Sequence, residues 1–388
     1  MSQWTEVPFL EALTDVSAKN VKIPKTQYLA DGALPVIDQG QNVIAGFVDD
    51  PELAHKEPGP LIVFGDHTRI FKFVDFPFAM GADGVKVLRP RSGFDPKFLY
   101  HYLRSAPVPS AGYSRHFKFL KEIPVPRPPM EVQQRIAAVL DRVEGLRTKR
   151  REAAALLEEL LSSIVSHTLP KDAETVALDE VLGRRLRNGT SPSSKGTHEG
   201  KVLTLSALTR GGFDPSAWKN GLFASDPTPD HSVKPNVFML VRGNGNKRLV
   251  GVGAFSPVAI PDTVYPDTVL AAPIREDVIV PEYLDVIWRT PAVRRQVEAA
   301  ARTTNGTFKV NQKTMGAVRI PLPGKSWQRE FQQRVRVIRR ARDLHHDHLA
   351  ALDELFTSLQ KRAFRGTLPS AIMHPRLRDA SPDQARSA

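Results

Sequence analysis

The run Phe64-Gly65-Asp66-His67-Thr68-Arg69 sets an acid, a base, a hydroxyl and a cation side by side, the residue types of a general acid–base site. Consecutive residues of a strand point to opposite faces, so the four side chains cannot converge on one reacting atom. Catalysis therefore ranks below two other readings, a plain turn or a contact to DNA by His67, Thr68, Arg69 and the nearby Lys72. A second run, Arg242-Gly243-Asn244-Gly245-Asn246-Lys247-Arg248, looks at first like a phosphate loop. It lacks the GxxxxGK[ST] spacing and the third glycine of a dinucleotide turn. A hairpin turn is one reading. The other is a DNA contact, because Arg242, Asn244, Asn246, Lys247 and Arg248 suit base edges and phosphates.

Two further segments pair hydroxyls and an amide with cations: Thr303-Thr304-Asn305-Gly306-Thr307-Phe308-Lys309 and its counterpart Gly112-Tyr113-Ser114-Arg115-His116-Phe117-Lys118. Thr304, Asn305, Thr307 and Lys309, with Arg115 and Lys118, could clamp a phosphate, against the alternative of an ordinary loop. His345, His346 and His348 suggest a metal site only superficially. Helical angles bring 345 and 348 together, but no carboxylate is placed to complete a tetrahedron. No metal is expected. Also missing are an Asn-Pro-Pro-aromatic or Asp-Pro-Pro-aromatic run for amino-group methylation and a Glu-x-Lys pair at nuclease spacing. A noncatalytic chain is the expectation.

Composition agrees with a binding role. A formal net charge of +12 and a pI near 9.8 call for a polyanionic partner, nucleic acid before an acidic membrane surface. The absence of cysteine excludes disulfides and thiolate chemistry. No uncharged apolar run is long enough to span a bilayer, and the first residues, Met1-Ser2-Gln3-Trp4-Thr5-Glu6, lack a signal-peptide pattern. A cytoplasmic location follows as an expectation. With 388 residues, 41% of them hydrophobic, the chain can bury two cores more economically than one.

The elements that would carry these loops come in duplicate. Ile123-Pro124-Val125-Pro126 precedes one long helical pattern and Ile320-Pro321-Leu322-Pro323 another. Leu156-Leu157-Glu158-Glu159-Leu160 is answered by Ala351-Leu352-Asp353-Glu354-Leu355, and Thr168-Leu169-Pro170 by Thr367-Leu368-Pro369, a period of about 195 residues that is far beyond solenoid repeats. Short β-type runs at Leu34–Ile37, Val43–Val48, Leu61–Phe64, Ile70–Val74 and Val85–Leu88 precede a helix from Asp95. In the second half, runs at Lys201–Leu205, Val237–Val241 and Leu249–Val252 precede a helix over Pro281–Trp288. Apolar residues in a 3,4 alternation, including Ile136, Val139, Val143, Leu157 and Leu160, mark one coiled-coil seam. Ile338, Leu352 and Leu359 lie on the stripe of the other.

The spacing predicts an α+β fold: mixed α/β domains at 1–128 and 169–323, an antiparallel pair of long coiled-coil helices at 129–168 and 324–366 separating them, an internal pseudo-two-fold repeat, and a disordered tail at 367–388. A helix of some 37 residues is roughly 55 Å long, enough to hold two similar modules apart at DNA half-site spacing. An ordinary core helix is the competing reading of each stripe.

These residues also carry a resemblance. The Ile-Pro-Val-Pro and Ile-Pro-Leu-Pro runs, the segment Glu131-Val132-Gln133-Gln134-Arg135-Ile136-Ala137-Ala138-Val139-Leu140-Asp141 with Leu156 to Leu161, and the duplicate order make the chain similar, over residues 4 to 366, to the specificity subunits of type I restriction–modification systems. The resemblance implies two target recognition domains, each reading one half of a split, asymmetric double-stranded DNA sequence. It implies that the helix pair acts as a ruler and as a dock for two methyltransferase subunits, placing Ile136, Val139, Val143, Leu157, Leu160, Ile338, Leu352 and Leu359 at that dock. Restriction subunits would join the core. S-adenosylmethionine, ATP and magnesium would sit on the partners, with no cofactor on this chain. Gly324-Lys325-Ser326-Trp327-Gln328-Arg329-Glu330 departs from the family's usual proline-and-glutamate opening. A helical adaptor without sequence readout is the competing class, and a self-contained nuclease or methyltransferase a more distant one.

Overall fold

The computed structural model describes residues 4–368 apart from 83, 111, 113 and 305. The expected tail lies outside the described residues from 369 onward. The chain divides into two compact units, Met1–Arg151 with Asp347–Ala388, and Glu152–His346. Two long helices, Met130–Thr168 and Lys325–Phe364, occupy the two predicted helical stripes.

In the first unit an antiparallel sheet runs in the order Leu13–Asp15, Val85–Pro90, Leu61–Gly65, Phe71–Val74. Leu61–Gly65 is buried along its whole length, as a continuous apolar strand covered on both faces must be. One face packs against the helix Pro96–Ser105 and the long helices through Phe98, Ile136, Leu140 and Phe356. The other meets Ile37, Phe78 and Met80. Asp95 caps the 96–105 helix, its carboxylate accepting the Phe98 N–H at 2.8 Å, with Pro96 at the first helical position.

The second unit repeats this plan. Its sheet runs Arg187–Asn188, Val269–Pro273, Val237–Val241, Gly253–Ala254, again antiparallel around a fully buried central strand, Val237–Val241. The predicted strand at Leu249–Val252 is absent: Lys247–Leu249 is a 3-10 turn and Gly251 sits at φ +64°. A Cβ there would lie 2.3 Å from Val297, so glycine is required on both counts. Val43–Val48 is likewise only in part a strand, Gly46–Val48, which leaves 40–45 as loop.

Three features recur at atomic level. The Ile-Pro-Val-Pro and Ile-Pro-Leu-Pro runs are strands that close each unit, Val125–Pro126 on Glu6–Val7 and Arg319–Leu322 on Glu174–Ala177. Both pairs are two-stranded, where proline removes no central ladder bond. Tyr102 and Tyr283 each donate a hydroxyl to the carbonyl of the first proline in these runs, Pro124 and Pro321. Burial raises both phenols to about 12 for Tyr102 and still higher for Tyr283.

The third recurrence is a buried glutamine at the start of each long helix. Gln133 donates to the carbonyls of Pro128 (2.9 Å) and Gly93 (3.1 Å) and accepts the Asp95 N–H at 2.8 Å. Gln328 donates to Pro323 (2.8 Å) and Val278 (3.1 Å) and accepts the Val280 N–H at 2.9 Å. Each is 1% exposed. Each ties the long helix to the residue that opens its unit's own helix.

Among the ion pairs beside these glutamines, Lys97–Asp141 and Glu282–Arg336 occupy equivalent positions with their signs exchanged. In the first unit Lys97 and His101 meet Asp141, each at 2.8 Å, and Arg104 meets Glu144 at 3.0 Å. In the second the acids are on the shorter helix: Glu282 meets Arg336 at 2.8 Å and Asp285 meets Arg339. Burial pushes the Glu282 carboxyl up, but hydrogen bonds from Gln332 and Arg336 outweigh it and hold it below the usual range.

Within each unit the long-helix segments run antiparallel. In the first, Arg147 meets Asp353 at 2.5 Å while Asp141 and Gln360 both contact His101. In the second, Arg342 meets Glu158 at 3.0 Å and Leu161 and Val165 share a core with Phe331 and Val335.

His101 gives a pH prediction. Burial pushes its imidazole down, with Asp141 only partly compensating. Its Nε2 contacts Asp141, whereas its buried Nδ1 has no partner, so a second proton would bury an unsatisfied donor. A histidine whose folded pKa is depressed contributes stability that is complete above the unfolded value, about 6.5, and lost as pH falls through the folded value. The first unit should therefore lose stability as pH falls below about 6.5, and His101→Gln should flatten that slope. Chemical denaturation followed by hydrogen exchange at stepped pH measures it.

Candidate nucleic-acid interface

Each buried central strand ends in one of the runs singled out above, and each run is met by the second segment of its own unit. Gly65 to Arg69 form a tight turn closed by the Arg69 N–H on the Gly65 carbonyl at 2.7 Å, with Arg69 at φ +61°. Asp66 is buried, and its carboxylate accepts the Phe117 N–H at 2.7 Å while its carbonyl accepts the His116 N–H at 2.9 Å. Asp66 thus docks the 114–118 segment on the turn. Thr68, Arg69, Arg115 and Lys118 are exposed around this junction, and His67 is half-buried. Arg69 also donates to the Val108 carbonyl at 3.2 Å.

In the second unit Gly243–Asn244 pairs with Thr307–Lys309, which pairs in turn with Arg302–Thr304. The two runs are therefore one three-stranded sheet. The Asn244 side chain accepts the Asn246 N–H at 2.9 Å and Asn246 accepts that of Arg248 at 3.0 Å, which shapes the turn. Arg294, unremarkable in sequence, donates to the carbonyls of Arg248 (3.1 Å) and Val250 (3.0 Å) and fixes the loop's far end. Asn246, Lys247, Arg248, Arg302 and Lys309 are exposed; Arg242, Asn244 and Thr307 are half-buried. Thr304 ends a strand of the sheet. Asn305 lies outside the described residues.

One expected contact is corrected. Lys72 is only 4% exposed, and its ammonium reaches the Asp38 carbonyl at 2.7 Å and carboxylate at 3.5 Å. Both faces of its strand are covered, so the residue between Phe71 and Phe73 points inward. Burial lowers its pKa, with Asp38 opposing. It supports a loop and is not an exposed cation.

The docking residues are corrected too. Ile136, Val143, Ile338 and Leu359 are buried in the chain's own cores, and Val139, Leu157 and Leu352 pack against those cores. Of the eight expected, only Leu160 is exposed, at 44%. The large apolar side chains the long helices do expose are Met130, Leu146 and Leu355 in the first unit, and Leu156, Leu160, Val337 and Leu344 in the second.

Among the described residues no group of three or more acids and histidines could hold a metal ion, and no helix is long and apolar enough to cross a membrane.

Residues 1–157 match the family model described as the type I restriction modification DNA specificity domain. The chain is 23% identical over 315 residues, 73% of its length and 68% of the relative's, to the type I restriction enzyme EcoKI specificity subunit of Escherichia coli strain K12. Its fold is similar to the S subunit of a type I restriction–modification system from M. genitalium, with a TM-score of 0.57 and 15% identity over 94% of this chain and 96% of that one. A second structure, described under complex assembly and conformational transition of the type I R-M system, matches with a TM-score of 0.51 and 18% identity over 94% and 98%.

Proposed function

We propose that this chain, a type I restriction–modification DNA specificity subunit by its family match and its relatives, is the noncatalytic part of its complex that reads a bipartite, asymmetric double-stranded DNA target. The observation that carries the proposal is the duplication of one arrangement. In each unit a turn at the end of the buried central strand is joined by a second segment, and the junction exposes cations beside hydroxyls and amides: Thr68, Arg69, Arg115 and Lys118 in one, Asn246, Lys247, Arg248 and Lys309 in the other. Cations hold the phosphate backbone, while amides, hydroxyls and arginine forks read base edges. Two such modules on one chain suit a target in two halves.

The long helices then serve as ruler and dock. Leu146, Leu156, Leu160, Val337, Leu344 and Leu355 are the apolar surface offered to two methyltransferase subunits that methylate adenine, and restriction subunits that cleave DNA would join them. S-adenosylmethionine, ATP and magnesium belong to those partners, and the complex works in the cytoplasm.

Arg69, Arg115, Lys118, Lys247, Arg248 and Lys309, if each neutralises one phosphate, give a loss of affinity of about a thousandfold between 50 and 200 mM salt. Gel shifts of the chain with its partners on target DNA at rising salt measure this. An affinity flat in salt would contradict the proposal and favour the helical adaptor.

A further inference from the structure

Lys72 points to a reading element absent from the residues considered so far. Its ammonium sits under the loop 38–44 and spans that loop's base, donating to the Asp38 carbonyl at 2.7 Å and to the Val43 carbonyl at 3.5 Å. A buried ammonium is costly unless paired, and this one finds its partners only in that loop. Asp38 turns the chain by accepting the Gly40 N–H at 2.7 Å. Gln39 joins the loop to the candidate turn, accepting the His67 N–H on its side chain at 3.3 Å and the Thr68 hydroxyl on its carbonyl at 2.7 Å. The loop is therefore held at its base and from its side.

What it presents is four consecutive exposed residues, Gln41, Asn42, Val43 and Ile44. Val43 is 51% exposed and Ile44 39%. Large apolar side chains in pairs at a loop tip add nothing to the core. Their chemistry fits a groove. The amide of Gln or Asn offers the donor and acceptor that match the adenine N6 and N7 edge, and an apolar side chain fits the thymine methyl.

We propose that loop 38–44 reads bases in one half of the target, with Gln41 and Asn42 as the specificity-determining side chains and Lys72 as the positioning residue that fixes the loop. The inference rests on the DNA-reading function proposed above and adds to it the residues that discriminate.

The test expresses the complete complex, with Gln41→Ala, Asn42→Ala or Lys72→Met, in a host free of other adenine methylation, and sequences the methylated bases. Gln41→Ala and Asn42→Ala should each relax a position in the same half of the motif, with discrimination falling about ten- to a hundredfold there. The other half and the spacer should stay unchanged. Lys72→Met should relax the same positions and add nothing at the Gln41-dependent position when combined with Gln41→Ala. Should both exposed-loop variants methylate the wild-type motif with full discrimination, the loop is not a reading element, although the bipartite function stands. A wild-type complex without a bipartite motif would overturn the function and this inference together.

Discussion

Gln133→Leu should destabilise the first unit, and Gln328→Leu the second, each by about 2–4 kcal/mol, because each change strands one buried N–H and two carbonyls. Leucine keeps most of the volume, so the loss measures hydrogen bonding and not a cavity. The site makes the effect large. Gln133 is the common partner of Pro128, Gly93 and Asp95, and its removal frees the long helix from the helix that Asp95 opens. Hydrogen exchange should show lost protection over 95–105 and 123–135 for Gln133→Leu, and over 278–288 and 320–330 for Gln328→Leu. A cost below about 1 kcal/mol would mean that water replaces the amide and the latch is incidental.

Arg339→Glu is the second large effect, expected to cost the second unit about 2–4 kcal/mol. Asp285 is largely buried and would be left facing a like charge, with Glu282 on the same helix adding to the repulsion. The cost of breaking such a pair is mainly that of an uncompensated charge in a site with little water. Adding Asp285→Arg should restore at least half of the loss, the remainder reflecting the nearby Arg289. Urea unfolding read by the fluorescence of Trp288 and Trp327, both in this unit, quantifies the cycle. Failure of the second change to restore stability would show that packing, not charge, sets the requirement at position 339. The sign exchange has a structural meaning. Glu282 and Asp285 would repel Asp141 and Glu144, so each shorter helix matches only its own long-helix segment.

The frame of this molecule is legible in sequence because its signals are long. Seams sustained over dozens of residues place both long helices within a residue or two, and Val237–Val241 and Pro281–Trp288 fall where their apolar runs and proline put them. What misleads is local pattern whose outcome depends on distant backbone. Gln133 and Gln328 look like solvated helix residues because the carbonyls that bury them come from loops some 40 and 50 residues earlier in the chain. Lys72, flanked by phenylalanines, mimics a half-exposed strand; covering both faces of that strand turned it inward under a loop. The seam positions Ile136, Val143, Ile338 and Leu359 are buried within the chain, as the antiparallel helix pair read from their periodicity requires, and not at the dock that the resemblance implies. Leu156, Val337 and Leu344, off the seam, remain uncovered. The candidate loops were visible as residue types. Their joining in pairs, 64–69 with 114–118 and 242–248 with 302–309, is long-range and was not.

Sequencing the methylated adenines of the source cell with and without this chain tests the central claim most directly. Two-part sequence readout predicts that one split motif, two short specific halves around a fixed spacer, disappears when the chain is removed while every other motif persists. A methylome that carries a split motif and keeps it unchanged without the chain would contradict the claim.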